Sequence, residues 1–157
     1  MPARPHNPSE PGDSLPAALL VMRLTIASFL FAWASLKFTR PEWTVNVWTN
    51  NYGQAWITAD YAYAVGTAQI VLVLAFASGL WRTLTYGVVT LMHATGIASA
   101  APQLMDPTSY PKNLLWAAVP TLGAMIALFL LRRHDNWLSL SGRAARRRAN
   151  PSGAKTL

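Results

Sequence analysis

Four side chains interrupt long apolar runs in this chain: Arg23, Lys37, Gln69 and His93. Polar and ionisable groups at membrane depth are costly, so these four are the first candidates for contact with a ligand or a partner. His93 lies about ten residues into its apolar run and hence near a membrane midplane. Haem held by two histidines needs a second one at similar depth. The other histidines are His6, near the start, and His134, at the end of the last run, and a zinc site lacks ligands for the same reason. Three readings stay open for His93: a structural hydrogen bond, a contact to quinone or another ligand, and proton relay or haem ligation completed by another chain. Gln69 needs a partner across a helix interface or on a ligand. Asp60 stands where a helix begins and suits a cap, with an ion pair to Lys37 compatible. The chain has no cysteine, which removes thiolate, disulfide and iron–sulfur chemistry of its own. The residues therefore assign no catalytic set, no metal site and no cofactor held by this chain alone.

The elements that position these residues follow from composition. Of 157 residues 52% are hydrophobic and 12% charged, against roughly 25% charged in a soluble domain. Stretches without Asp, Glu, Lys or Arg run from Tyr61 to Trp81, Thr83 to Met105 and Asn113 to Leu131. Each is long enough for a hydrocarbon core of ~30 Å. A fourth, Leu15 to Phe38, contains Arg23 and Lys37. These lie ~21 Å apart along a helix and within ~40° of one face, so they can snorkel to opposite headgroup layers or turn into the bundle. A signal peptide wants small residues where Lys37, Phe38 and Arg40 stand, so this segment also reads as a span.

The expected fold is all-α, an integral membrane antiparallel four-helix bundle with an aromatic interfacial outer loop. Helices are expected at 15–38, 60–81, 83–102 and 113–132, making a transmembrane domain over 15–133. Residues 1–14 read as a disordered tail and 134–157 as a basic C-tail. Arg4, Arg82, Arg132, Arg133, Arg143, Arg146, Arg147, Arg148 and Lys155 share one side, with Arg23 leaning the same way, against Lys37, Arg40 and Lys112 on the other. The positive-inside rule then makes both termini cytoplasmic. Small residues at Ser28 and Ala32, Gly96 and Ala100, and Gly123 and Ala127 suggest close-contact faces, and Pro120 a kink in the fourth helix.

In the loop 39–58, Val45, Trp48, Tyr52 and Trp56 recur at helical spacing, with Trp43 nearby and Pro41 at the start. This predicts an aromatic helix lying in the outer interface, although Gly53 interrupts it. A docking surface or a lid are the alternatives to a plain anchor. Trp137 marks the inner interface. Beyond it the run Arg143, Arg146, Arg147 and Arg148 suits anionic lipid headgroups and the fixing of topology rather than nucleic acid.

The runs MRLTIASFLFAWASLKF and GTAQIVLVLAFASGLWR together resemble the DoxX-like family of small bacterial four-helix membrane proteins, relatives of the MauE proteins. Arg23 matches the family's opening arginine, Ala34 and Lys37 its closing small residue and lysine, and Gly66, Gly79 and Arg82 its second-helix pattern. Gln69 stands where the family has an acid. The likeness covers roughly Met22 to Leu131. It implies a non-catalytic accessory or anchoring subunit of a quinone-linked respiratory complex, with other membrane subunits as partners and quinone at a subunit interface. A small lipid-binding, quinone-binding or transporter-like protein acting alone is the alternative.

Overall fold

A proline and two glycines punctuate the first half of the chain. The computed structural model describes residues 14–140, and among them the chain is helical, without strands. Helix α1, Ser14–Thr39, stops at Arg40 (φ −142°, ψ 63°), because the residue before Pro41 is driven out of the helical region. Pro41 then opens α2, Pro41–Tyr52, as its first residue. Gly53 ends α2 in the left-handed conformation (φ 65°), its N–H donating to the Thr49 carbonyl at 3.1 Å. The interruption expected at Gly53 is thus a helix end, and Trp56 lies beyond the helix rather than on its face.

Helix α3, Ala59–Ala77, closes in a Schellman motif at Gly79, also left-handed: Leu80 N–H reaches the Ala75 carbonyl at 3.0 Å and Gly79 N–H that of Phe76 at 2.9 Å. The expected helix 60–81 is therefore shorter at its end. Helix α4, Arg82–Ser99, gives way to the one-turn α5, Ala101–Leu104, whose second residue is Pro102. The expected fourth helix is divided. A 3₁₀ segment spans Lys112–Ala117 and α6 spans Ala118–Leu130. Pro120 sits in the first turn of α6, where its missing N–H costs least, so it follows the change of helix type rather than kinking a continuous helix.

Three helical stretches are long and apolar enough to cross a membrane: Ser14–Thr39, Ala59–Ala77 and Lys112–Leu130. Helix α4 has the length but carries Arg82, His93 and four threonines. The buried face of α1 is Leu19, Arg23, Ile26, Ala27, Leu30 and Ala34, a stripe at helical spacing. It meets Val73 and Phe76 of α3, Tyr86 and Val89 of α4, and Met125 and Leu128 of α6. Outside this core the surface remains apolar, with Val21, Val71, Leu74, Leu91 and Leu130 all exposed. Helices apolar on every side belong in lipid. Between such helices the hydrophobic effect is weak, so close packing and polar contacts carry the association.

Close packing is found at Gly66 and absent at Gly96 and Gly123. At Gly66 a Cβ would lie 2.8 Å from the Phe38 ring and 2.9 Å from Lys37 Cβ, so this glycine lets α3 approach the end of α1. Gly96 and Gly123 have nothing within 4 Å of such a Cβ, and Ser28 and Ala32 are exposed. The contact faces expected there are not used among the described residues.

Candidate functional site

The strongest polar assembly sits where the start of α1, the α3–α4 turn and the segment after α6 meet. Arg23, instead of snorkelling, is fully buried. Its Nη1 donates to Asp135 Oδ2 at 2.9 Å and to the Tyr86 hydroxyl at 3.3 Å; its Nη2 donates to the carbonyls of Trp137 at 2.8 Å and Leu138 at 3.4 Å. The Tyr86 hydroxyl in turn donates to the same carboxylate oxygen. Asp135 and Ser139 are fully buried too. An ion pair this deep depends on further hydrogen bonds to its members; two carbonyls and a phenol supply them here, while Arg23 Nε and Asp135 Oδ1 stay buried without a partner.

Gly79 makes room for this cluster: a Cβ there would lie 2.8 Å from Arg23 Nη1 and 2.8 Å from Ser139 Oγ. Ser139 Oγ donates to the Gly79 carbonyl at 3.2 Å, and Leu140 N–H to the Ser78 carbonyl at 3.0 Å. Arg82 completes the tie. Its Nη1 reaches the carbonyls of Arg132 at 2.9 Å and Asp135 at 2.6 Å, and Asn136 Oδ1 at 2.9 Å. These carbonyls lie just past α6, where a cation meets the negative end of the helix dipole. Residues 134–140, expected as the start of the basic C-tail, fold back onto the bundle, where Asp135 answers Arg23. Asp135, Tyr86 and Ser139 were missed from sequence. A lone acid just after the arginine pair Arg132–Arg133 reads as local charge balance unless the buried cation is matched to it.

The midplane residues make a second, smaller set. Gln69 Nε2 donates to Met92 Sδ at 3.3 Å, joining α3 to α4. The next residue, His93, has Nε2 3.1 Å from the Ala118 carbonyl. A carbonyl only accepts, so Nε2 carries the hydrogen. The Phe29 ring meets the His93 ring edge-on at 5.8 Å between centroids. Gln69 and His93 thus share one level of the interior. Arg23 and Lys37 stand toward opposite ends of α1, so the four candidates do not line one site. Lys37 is half-buried and has no ion pair. Asp60, exposed in the first turn of α3, neither caps the helix through its side chain nor pairs with Lys37.

At the other end of α1 lies the aromatic set. Trp33 and Trp43 are 5.6 Å apart, and Phe38 stacks on Tyr63 at 6.0 Å. Trp48 touches Tyr52 at 5.1 Å and Tyr61 at 5.7 Å, and Tyr61 touches Trp56 at 5.6 Å. Trp43, Tyr52 and Trp56 remain exposed, as does the Trp137 ring near the Arg23 cluster. Arg143, Arg146, Arg147 and Arg148 lie outside the described residues. Among the described residues no group of three His, Asp or Glu could hold a metal ion. Comparison with models of known protein families, with curated proteins and with solved structures gave no match.

Proposed function

We propose that this chain is a non-catalytic accessory or anchoring subunit in a bacterial inner membrane, an antiparallel four-span bundle with both termini cytoplasmic. The observation that carries this reading is where the polar groups at depth are directed. Arg23 is held by Asp135, Tyr86 and two carbonyls, Gln69 by Met92, and His93 by the Ala118 carbonyl. Each bond joins one element of the fold to another, as the polar glue of a scaffold does. The topology draws support from the Arg23 cluster, which gathers the start of α1, the end of α3, the start of α4 and the segment after α6. Alternating spans bring these four points to one side. Arg82, Arg132 and Arg133 lie on that side, and the positive-inside rule makes it cytoplasmic.

The partner class follows from the resemblance in the first two helices: a membrane redox assembly, quinone-linked, with quinone at a subunit interface. Purification from native membranes in mild detergent, recording particle mass, subunits and visible spectrum together, tests it. A large coloured particle containing this chain is the expected result. A small colourless particle overturns the accessory reading in favour of a protein that acts alone on lipid or quinone.

A further inference from the structure

The two ends of the bundle treat charge in opposite ways. At the end holding the Arg23 cluster, the acid Asp135 is buried against Arg23, while Arg132 and Arg133 follow α6. That rim is basic. At the other end Lys37 and Arg40 are balanced by Glu42 and Asp60, within the stretch that closes α1, forms α2 and opens α3. None of these four charges belongs to an ion pair, since the pairs among the described residues are Arg23–Asp135 and Lys112–Asp106. Arg40, Glu42 and Asp60 are exposed, so their unpaired state is not the result of burial. The loop pair Lys112–Asp106 adds no net charge to this rim.

The same stretch, α2 to the start of α3, holds the ring series Tyr52, Trp48, Tyr61 and Trp56. Asp60 directly precedes Tyr61 in the first turn of α3. Trp56 is two-thirds exposed, and its indole N–H donates to Gln54 Oε1 at 2.6 Å, which fixes the ring while leaving it open to a ligand. Aromatic faces attract ammonium groups, tryptophan most strongly, and a nearby carboxylate adds to the attraction. Unpaired lysine and arginine side chains attract phosphate.

We propose that this rim binds a zwitterionic phospholipid headgroup, its ammonium on the Trp56–Tyr61 rings and Asp60 and its phosphate on Lys37 or Arg40. The neutral balance of the rim favours a zwitterion over an anionic headgroup, which its two acids would repel. The inference rests on the membrane-spanning reading and is independent of the accessory role.

The test uses the full chain in nanodiscs of equimolar phosphatidylethanolamine and phosphatidylglycerol, with co-released lipid counted by native mass spectrometry. Retained phosphatidylethanolamine should exceed its bulk share by about threefold, the size that one exposed cation–π contact supports. Trp56→Ala and Asp60→Asn, both at exposed positions, should each lower that excess, and Arg133→Gln should not. Retention at bulk composition overturns the proposal, as does an excess of phosphatidylglycerol that disappears in Lys37→Gln. A chain that fails to enter nanodiscs overturns the spanning reading itself, whereas the accessory role is judged by copurification.

Discussion

Removing Asp135 should be among the most damaging single changes at the Arg23 end of the bundle, and the reason can be put in numbers. Asp135→Leu leaves the Arg23 guanidinium buried without its counter-charge, and the Tyr86 hydroxyl without its acceptor. Breaking a buried pair from one side costs ~3–5 kcal/mol. Arg23→Met should cost about as much, since it strands the Asp135 carboxylate together with the carbonyls of Trp137 and Leu138. For an isolated pair, replacing both charges by apolar residues is often neutral or stabilising. Here the double variant should recover only part of the loss. The Tyr86 hydroxyl stays buried without a partner, at a cost of ~1–3 kcal/mol, and the part-buried carbonyls of Trp137 and Leu138 lose their donor.

Reversible unfolding in mixed micelles, followed by circular dichroism, gives the four corners of the cycle. The double variant should be no worse than either single, which makes the coupling as large as one single loss, on the order of 3–5 kcal/mol. Adding Tyr86→Phe to the double variant should return a further ~1 kcal/mol, because it removes one stranded hydroxyl. If the two single losses add within about 0.5 kcal/mol, the residues do not interact. The docking of residues 134–140 onto the bundle would then be wrong.

Three further outcomes test other parts of the structure. Gly79→Ala should destabilise by at least ~1–2 kcal/mol from its left-handed backbone alone, and by more because its Cβ would lie 2.8 Å from Arg23 Nη1; the same unfolding assay reads it, and a neutral result would refute the close approach. His93→Ala should lose ~1 kcal/mol or more through the bond to the Ala118 carbonyl and the Phe29 contact. Gln69→Leu should stay within about 1 kcal/mol of the parent, since a thioether is a weak acceptor, and a reversed order would move the midplane weight to Gln69. The Ser109 side chain and then Lys112 hold the Asp106 carboxyl below its ordinary 3.8. Because the folded value is depressed, this loop contact is complete above 3.8 and is lost as pH falls through the folded value; carboxyl NMR titration checks the direction, and an unshifted midpoint refutes it.

Features set by local rules were legible in the sequence. The uncharged runs Tyr61–Trp81 and Asn113–Leu131 located two of the helices apolar enough for lipid, whereas Thr83–Met105 holds α4, which is not among them, and Pro41 with the spacing of Val45, Trp48 and Tyr52 located α2. Gly53 was visible as a disturbance, but whether a glycine ends a helix or interrupts it depends on its φ, which composition does not give. The division of the last helix was equally hidden, because a 3₁₀ turn and an α-turn suit the same residues. Small residues at Gly96 and Gly123 misled for a different reason. A glycine permits close contact without requiring it, and among these three positions the neighbouring helix comes near only at Gly66.

The Arg23 cluster shows why partners were hidden at one end and partly visible at the other. Counting cations by side treats Arg23, Arg132 and Arg133 alike, yet Arg23 is buried and sealed by an acid 112 positions away. Nothing local marks that pairing; only the arrangement of spans brings the two together. In the aromatic stretch Trp48 and Tyr52 lie one turn apart, so their spacing already announced that contact, whereas the contact of Trp56 with Tyr61 was not foreseen. The two ends should therefore differ in how they fail. Losing one aromatic ring should weaken a local contact and leave the bundle intact. Losing Arg23 or Asp135 releases α1 from the segment after α6, while Arg82, Ser139 and Leu140 still hold that segment to the α3–α4 turn.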